Sequence, residues 1–184
     1  MSSSFSYVKN GNICSAKGFL SGSIYSGIKS PGLEKKDIGI IYSEHDCTSA
    51  GTFTQNSIVS PSVTWTKSTI DKGNLRAIVA NSGCANTSVG EQGFLDAKEM
   101  ALITSKALNI DIDSVAVAST GIIGIELPMA LMRKYIPQIE ISKNDGDGFA
   151  RSILTTDKRT KEIAVSFNIG ETKSNWDFNP SSKV

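Results

Sequence analysis

The residues best suited to chemistry lie in three short loops of small and polar amino acids. The loops are residues 81–87, 119–124 and 154–157. The first two directly follow apolar runs typical of buried strands, Leu75–Ala80 and Val115–Ala118. A glycine after a strand lets the chain turn and lets a ligand approach the backbone N–H groups closely. These loops are therefore the candidate ligand-binding segments.

One pair in the second loop has the groups that stabilise a negative oxygen. Thr120 offers a hydroxyl and Gly121 offers a backbone N–H. Two such donors can form the oxyanion hole of an acyl-transfer enzyme. The alternative is an ordinary turn between a strand and a loop, and the residues taken alone favour that alternative.

The remaining chemistry-bearing residues exclude several kinds of site. The three cysteines, Cys14, Cys47 and Cys84, are widely spaced and indicate reduced thiols rather than a disulfide framework. The only histidine, His45, lies in a polar run and is expected in a solvated turn. Because metal sites and catalytic triads need clustered ligands, we expect no metal ion and no Ser-His-Asp triad.

Charge and hydropathy narrow the class of protein. The 184 residues include 19 basic and 18 acidic residues, giving a net charge of +1 without a basic stripe. Binding to nucleic acid or to a membrane surface is therefore not expected. No apolar run reaches the ~18 residues needed to cross a bilayer, and the first residues lack a signal-peptide pattern. We expect a cytoplasmic protein, or one of an organelle matrix in a eukaryote.

The elements that must position the loops alternate loosely between strands and helices, which predicts an α/β or α+β fold. Two sets of segments are predicted. The strands are residues 37–43, 49–54 (in a hairpin with the first), 62–67, 75–80, 115–118 and 163–169. The helices are residues 94–108, one opened by Pro128 and limited by Pro137, and residues 149–154 capped by Asp147. Residues 175–184 have no period and are expected to form a frayed tail.

Eight motifs, taken in order, resemble the N-terminal (α) part of the ornithine acetyltransferase family, the bifunctional glutamate N-acetyltransferases of arginine biosynthesis. They span roughly residues 17–173. The matching stretches are Gly18-Phe19 with Ser26–Lys29, Ala50–Asn56, Arg76–Asn86, Gly93–Ala97, Val117–Gly124, Leu127–Met129, Asp145-Gly146 and Leu154–Asp157.

The resemblance implies a fold and a mechanism. The fold would be an α/β (α+β) sandwich of mixed sheets and helices, like that of DmpA and ornithine acetyltransferase. Acetyl would pass from N-acetylornithine to a threonine nucleophile and then to glutamate, with Thr120 and Gly121 as the oxyanion hole and Thr155 contacting substrate. No cofactor is implied, and acetyl-CoA is left open as a second acetyl donor. In the family, self-cleavage frees the threonine on a β chain, and the two chains form an α2β2 assembly.

This chain departs from the family pattern near its end. The family continues into a Lys-Gly-Ser-Gly segment and the Ala-Thr cleavage site, whereas this chain continues from Lys173 into Ser174–Asp177 and stops at Val184. The substrate-binding lysine, the cleavage site and the nucleophile are therefore expected to be missing from it. We expect an acetyltransferase-like domain over residues 1–173 and a divergent, disordered tail over residues 174–184.

Three interpretations follow from this departure. The chain is the α-like part of the acetyltransferase and needs a β-chain-like partner for activity. Alternatively, it is a truncated, frameshifted or spliced product that is inactive by itself. In the third interpretation it is a small-molecule binding domain that kept the substrate loops.

Overall fold

A computed structural model describes residues 5–169 and 172–177 of the chain. Its strands are β1 (Phe5–Tyr7), β2 (Phe19–Ile24), β3 (Ile38–Cys47), β4 (Leu75–Cys84), β5 (Val115–Ile122), β6 (Ala164–Ile169) and β7 (Thr172–Asp177). Its α-helices are α1 (Pro61–Ile70), α2 (Gly90–Leu108), α3 (Met129–Tyr135) and α4 (Gly146–Ser152). Strands and helices form mixed sheets and layers, so the predicted α+β fold class is confirmed.

The central sheet has the strand order β2-β3-β4-β5. The first three strands are antiparallel, whereas β4 and β5 run parallel. Strands β1, β6 and β7 form a second, antiparallel sheet in the order β1-β6-β7. Because β4 and β5 are parallel, their carboxyl ends lie side by side at the same end of the central sheet.

Helices cover both faces of the central sheet. On one face, the apolar side chains of β3, β4 and β5 pack with α2 and α3 in a buried core that includes Ile38, Ile40, Val79, Val117, Met100 and Met132. On the other face, α4 packs so closely that a Cβ on Gly39 would lie 2.8 Å from the ring of Phe149. Interdigitation of this kind is typical of a well-packed interior. Among the described residues, no helix is long and apolar enough to cross a membrane.

The run 62–67, predicted as a strand, lies in helix α1. Ser60 accepts a hydrogen bond from the backbone N–H of Ser62, and Pro61 occupies the first helical position. A serine cap followed by proline is a strong helix-start signal, and it outweighs the period-two pattern and β-branched residues of this short run.

The predicted hairpin between residues 37–43 and 49–54 is also wrong. Strand β3 extends to Cys47 and pairs with β2, while residues 49–54 form no strand. Two other predicted elements are shifted by a few residues: α2 begins at Gly90 rather than at residue 94, and α4 begins at Gly146 rather than at residue 149. Four residues of the predicted tail, 174–177, belong to β7, and the rest of that tail lies outside the described residues.

Candidate functional site

Two of the three predicted loops meet at the carboxyl ends of β4 and β5. Both strands continue into the predicted loops, so that Ser82 pairs with Thr120 and Gly83 pairs with Gly121. Beyond the strands, the N–H of Ala85 donates to the carbonyl of Ile122 over 2.9 Å. The first half of each loop is therefore strand rather than turn, which corrects the prediction and holds the two segments side by side.

Glycine is required at this meeting point because three backbones approach closely. A Cβ on Gly121 would lie 2.3 Å from the carbonyl carbon of Gly83, and a Cβ on Gly83 would lie 2.7 Å from the Cα of Lys29. Both glycines have positive φ angles, +135° at Gly121 and +111° at Gly83. Side chains are rarely tolerated in that region of backbone conformation.

The backbone N–H of Gly121 is directed away from the sheet. In a parallel pair, successive residues alternate between facing the neighbouring strand and facing away from it. The carbonyl of Ile122 bonds to Ala85 on the β4 side, whereas Val117 bonds to Thr66 of α1 on the opposite side. Gly121, four residues after Val117, is therefore directed outward and is itself exposed.

Helix α1 covers the outer edge of β5 only up to Ser119. Trp65 donates its indole N–H to the carbonyl of Val115 over 2.9 Å, Thr66 bonds both backbone groups of Val117, and the hydroxyls of Ser62 and Ser119 lie 2.9 Å apart. The helix begins at Pro61. Within residues 5–169 and 172–177, no hydrogen bond covers this outer edge after Ser119, and we call that stretch the open edge.

Thr120 stands at the start of this open edge. It is half-buried, and within the described part of the chain its hydroxyl makes no hydrogen bond. A free hydroxyl beside an outward N–H is the pair of donors that a developing oxyanion requires. Thr120 and Gly121, the two residues predicted as donors, are thus neighbours on β5, where Thr120 is half-buried and Gly121 is exposed.

Thr155 lies in the third loop, just after α4, and its side chain is exposed. The end of α4 is tied to the first loop, since the hydroxyl of Ser82 donates to the carbonyl of Ser152. The ammonium of Lys29 donates to the carbonyl of Leu154 over 2.9 Å. These bonds bring the residue before Thr155 towards the carboxyl ends of β4 and β5.

Lys29 and Asp37 have structural roles at the site that sequence reasoning did not assign. Asp37 is fully buried, and its carboxylate accepts hydrogen bonds from the N–H and hydroxyl of Ser26 and from the N–H of Lys29. Burial lowers the pKa of the Lys29 ammonium, while the charge of Asp37 opposes that change and that of Lys35 adds to it. The only sequence signal for these roles is the presence of glycines within strand-like runs, since such glycines indicate that another backbone segment approaches closely.

The other chemistry-bearing residues lie apart from this edge. His45 is exposed near the end of β3. Cys84 is buried, and its thiol donates to the carbonyl of Ile125 over 3.0 Å. Among the described residues, no three His, Cys, Asp or Glu side chains are grouped as ligands for a metal ion.

Comparison with known proteins finds relatives that carry the same name. The arginine biosynthesis bifunctional protein ArgJ of Dehalococcoides mccartyi is 43% identical over 169 residues, which are 92% of this chain and 42% of that protein. The protein of the same name from Oceanobacillus iheyensis is 39% identical over 165 residues, covering 89% of this chain and 40% of its own length. The chain thus spans about two fifths of the curated relatives it matches.

Two solved structures superpose on this chain over nearly its whole length. A chain in the crystal structure of ArgJ from Bacillus halodurans superposes with a TM-score of 0.92 at 29% identity, covering 100% of this chain and 97% of that one. Ornithine acetyltransferase from Mycobacterium tuberculosis, crystallised with ornithine, gives 0.85 at 28% identity, covering 98% and 97%. The model of the ArgJ family matches residues 21–179. The chain therefore belongs to the ArgJ family.

Proposed function

We propose that this chain is the α-like half of an acetyltransferase that moves acetyl from N-acetylornithine to glutamate. The observation that carries the proposal is the open edge of β5, where the free hydroxyl of Thr120 adjoins the outward N–H of Gly121. Membership of the ArgJ family, and the likeness to an ornithine acetyltransferase crystallised with ornithine, support the substrate class.

The chemistry proposed at this edge is acyl transfer in two steps. A threonine hydroxyl, supplied by the second half of the enzyme, attacks the acetyl carbonyl carbon of N-acetylornithine. Its proton passes to the threonine's own α-amine, whose pKa of about 8 suits a general base. The carbonyl oxygen becomes an oxyanion that accepts hydrogen bonds from Thr120 and Gly121. Collapse of this intermediate breaks the C–N bond, and the amine of ornithine leaves with the proton.

The second step reverses the first with a different amine. Glutamate's amine attacks the acetyl-threonine ester and gives up a proton to the threonine's α-amine, and the same two donors stabilise the second oxyanion. Collapse breaks the C–O bond, and the threonine oxygen takes that proton as it leaves. Thr155 is proposed to contact the amino-acid part of the substrate from the third loop. Neither step requires a cofactor, and acetyl-CoA remains a candidate second acetyl donor.

The surface beside the open edge supports the need for a second half. Ile122, Ile123 and Ile125 are exposed by 61%, 64% and 54%. Three exposed isoleucines within four residues are unusual on a surface that faces only water. We propose that they pack against the part of the relatives that this chain does not span, which also supplies the nucleophile.

Reconstitution tests this proposal directly. The chain would be produced alone, and together with the remaining part of the Dehalococcoides mccartyi relative as a separate polypeptide. Release of ornithine from N-acetylornithine would be followed with and without glutamate. We expect glutamate-dependent release only from the two-part enzyme, because we propose that the nucleophile lies on the second half.

Two results would point elsewhere. Turnover by the pure chain alone would overturn the half-enzyme proposal. Binding of N-acetylornithine by the pure chain, with no turnover in the reconstituted sample, would instead favour a binding domain or an inactive product.

Thr120→Ala provides the sharper test of the oxyanion site. In the reconstituted enzyme we expect kcat to fall about 10²–10³-fold, as on loss of one oxyanion donor elsewhere. Thr120→Ser keeps the hydroxyl and should retain most of the rate. Thr48→Ala, at an exposed position after β3, serves as the control. An unchanged kcat in Thr120→Ala would remove Thr120 from the oxyanion site.

A further inference from the structure

Lys29 is bonded at both ends, by its backbone and by its side chain. Its ammonium donates to two carbonyl oxygens, that of Leu154 over 2.9 Å and that of Arg151 over 3.2 Å. Its backbone N–H donates to the buried carboxylate of Asp37 over 3.1 Å. A lysine with both its backbone and its ammonium held in this way has little conformational freedom.

The two carbonyls that Lys29 binds belong to Arg151, in the last turn of α4, and to Leu154, two residues after the helix ends. The last carbonyls of a helix have no partner within the helix, and they carry the negative end of its dipole. A cation there satisfies the hydrogen-bonding capacity and complements the charge. Ser82 of β4 donates to a third carbonyl in the same stretch, that of Ser152. The chain that leads to Thr155 is therefore fixed by Lys29 and Ser82 together.

The backbone of Lys29 lies against the strand pair that carries the oxyanion site. A Cβ on Gly83 would be 2.9 Å from the backbone nitrogen of Lys29, and Gly83 in turn packs against Gly121. One residue thus touches the supporting strand with its backbone and the third loop with its side chain. Asp37 sets this position, because its buried carboxylate orders the turn from Ser26 to Lys29.

We infer that Lys29 is a positioning residue, which sets the distance between the third loop, with Thr155, and the strand end that carries Gly121. This inference rests on the proposed function, since it assumes that Thr155 and the oxyanion donors act on one substrate. Lys29 itself has its ammonium bonded to carbonyls, so it acts through the segments that it joins.

Amide hydrogen exchange on the full 184-residue chain tests the positioning role without any need for activity. In Lys29→Met we expect the amides of residues 153–157 to exchange about tenfold faster or more, because a charge-assisted pair of hydrogen bonds is lost. Amides in β4 and β5 should change much less. Lys29→Arg, which keeps the charge and the donors, should restore most of the protection.

Lys36→Met is the matched control. Lys36 is also half-buried, and its ammonium bonds to Ser23 and to Asp145 at the opposite end of α4. We expect its loss to affect exchange near residue 145 and to leave residues 153–157 unchanged. Equal effects of the two substitutions on residues 153–157 would overturn the inference, since they would show only a general loosening of α4.

A measurement on the unsubstituted chain covers the case in which Lys29→Met does not fold. With lysine labelled by ¹⁵N, the ammonium protons of Lys29 should exchange more slowly with water than those of the exposed Lys17. Equal exchange of the two ammonium groups would overturn the inference.

The reconstituted enzyme then separates the two proposals. We expect Lys29→Met to raise KM for N-acetylornithine more than it lowers kcat, whereas Thr120→Ala should act mainly on kcat. A lower kcat with unchanged KM would overturn the positioning role. If the reconstituted enzyme is inactive even without substitutions, the proposed function fails, while the exchange results still decide the role of Lys29.

Discussion

At Gly121 the backbone of β5 approaches the backbone of β4 too closely for any side chain. The methyl group of an alanine would lie 2.6 Å from the backbone nitrogen of Cys84, and the φ angle of +135° adds strain. We expect Gly121→Ala to reduce the free energy of unfolding by about 2–5 kcal/mol, from backbone strain and overpacking together. Urea denaturation of the pure chain measures this change.

Gly124 offers a matched comparison, three residues along the same segment. Its φ angle is +75°, but a Cβ there would meet nothing within 4 Å. Gly124→Ala should therefore cost only the conformational strain, about 1 kcal/mol. Equal losses in the two variants would show that the close approach of β4 and β5 does not constrain Gly121.

Glu162 makes the free energy of unfolding of the chain depend on pH, and the sign of that dependence follows from its pKa. Burial raises the pKa of its carboxyl above the ordinary 4.5, the nearby charge of Asp147 adds to this, and a hydrogen bond with Thr160 and the charge of Arg151 oppose it. Between 4.5 and the raised value, the native state binds more protons than the unfolded state. The free energy of unfolding therefore falls as pH rises through this window.

Removal of the Glu162 charge should accordingly stabilise the chain at neutral pH. We expect Glu162→Gln to have a higher urea midpoint than the unsubstituted chain at pH 7, and no advantage at pH 3, where the carboxyl is protonated in both states. Glu34→Gln, at an exposed position, is the control. A gain that persists at pH 3 would attribute the effect to packing rather than to charge.

Helix α1 acts as a substitute for a neighbouring strand along the edge of β5. The hydroxyl of Thr66 donates to the carbonyl of Val117 over 2.6 Å and accepts from its N–H over 2.9 Å. Open strand edges invite pairing with other chains, and proteins commonly cover them. Here one side chain satisfies both backbone groups of a buried residue.

Thr66→Val should lower the free energy of unfolding, because it removes the hydrogen bonds that helix α1 makes to the edge of β5. The change keeps the shape but leaves the N–H and carbonyl of Val117 without partners, which costs about 1–3 kcal/mol for a buried group. Thr66→Ser should recover most of the loss, and Thr64→Val on the exposed side of the same helix should change stability by less than about 0.5 kcal/mol. Urea denaturation of the three variants is the measurement, and similar losses at positions 64 and 66 would contradict the edge-covering role.

Element prediction succeeded where one signal dominated. Strands at 75–80 and 115–118 and the helix over 94–108 were identified by apolar patterns, and the proline-bounded helix near residue 129 was identified by its flanking residues. The sequence prediction has a strand in place of helix α1, because it gives the six-residue alternation more weight than the helix-start signal of Ser60 and Pro61. The ends of β4 and β5 were read as loops because their residues are small, although pairing with each other keeps them extended.

In the whole molecule, the candidate site combines parts that a linear reading cannot place together. The types of Thr120 and Gly121 and their position after a strand make an oxyanion hole possible but favour an ordinary turn, and it is the family resemblance that implies the oxyanion role. The approach of Lys29 to Gly83, and its reach to Leu154, depend on how α4 and the turn before β3 pack on the sheet. Contacts between residues more than 50 positions apart leave no pattern of spacing in one sequence.

The apolar surface of the chain is covered unevenly. The apolar run Leu75–Ala80 lies in β4 of the central sheet, where Ala77, Val79 and Ala80 are buried. Large apolar side chains are exposed at several separate places, including Phe5 and Tyr7 of β1, Leu33, Ile58 and Leu95, but three of them lie within four residues only after Gly121. For this reason we propose the contact with a second half at the isoleucines beside Thr120 and Gly121.

The parallel pairing of β4 and β5 has a consequence for how the chain folds. The antiparallel pair of β2 and β3 closes a short loop, whereas β4 and β5 can pair only after the whole crossover containing α2 has been ordered. Long-range pairing of this kind loses chain entropy before its contacts form, and it is intrinsically slow. A chain emerging from the ribosome must also include residue 154 before Lys29 finds its partners. The open edge at Gly121 is therefore expected to take its final form late in folding, after the first hairpin has already formed.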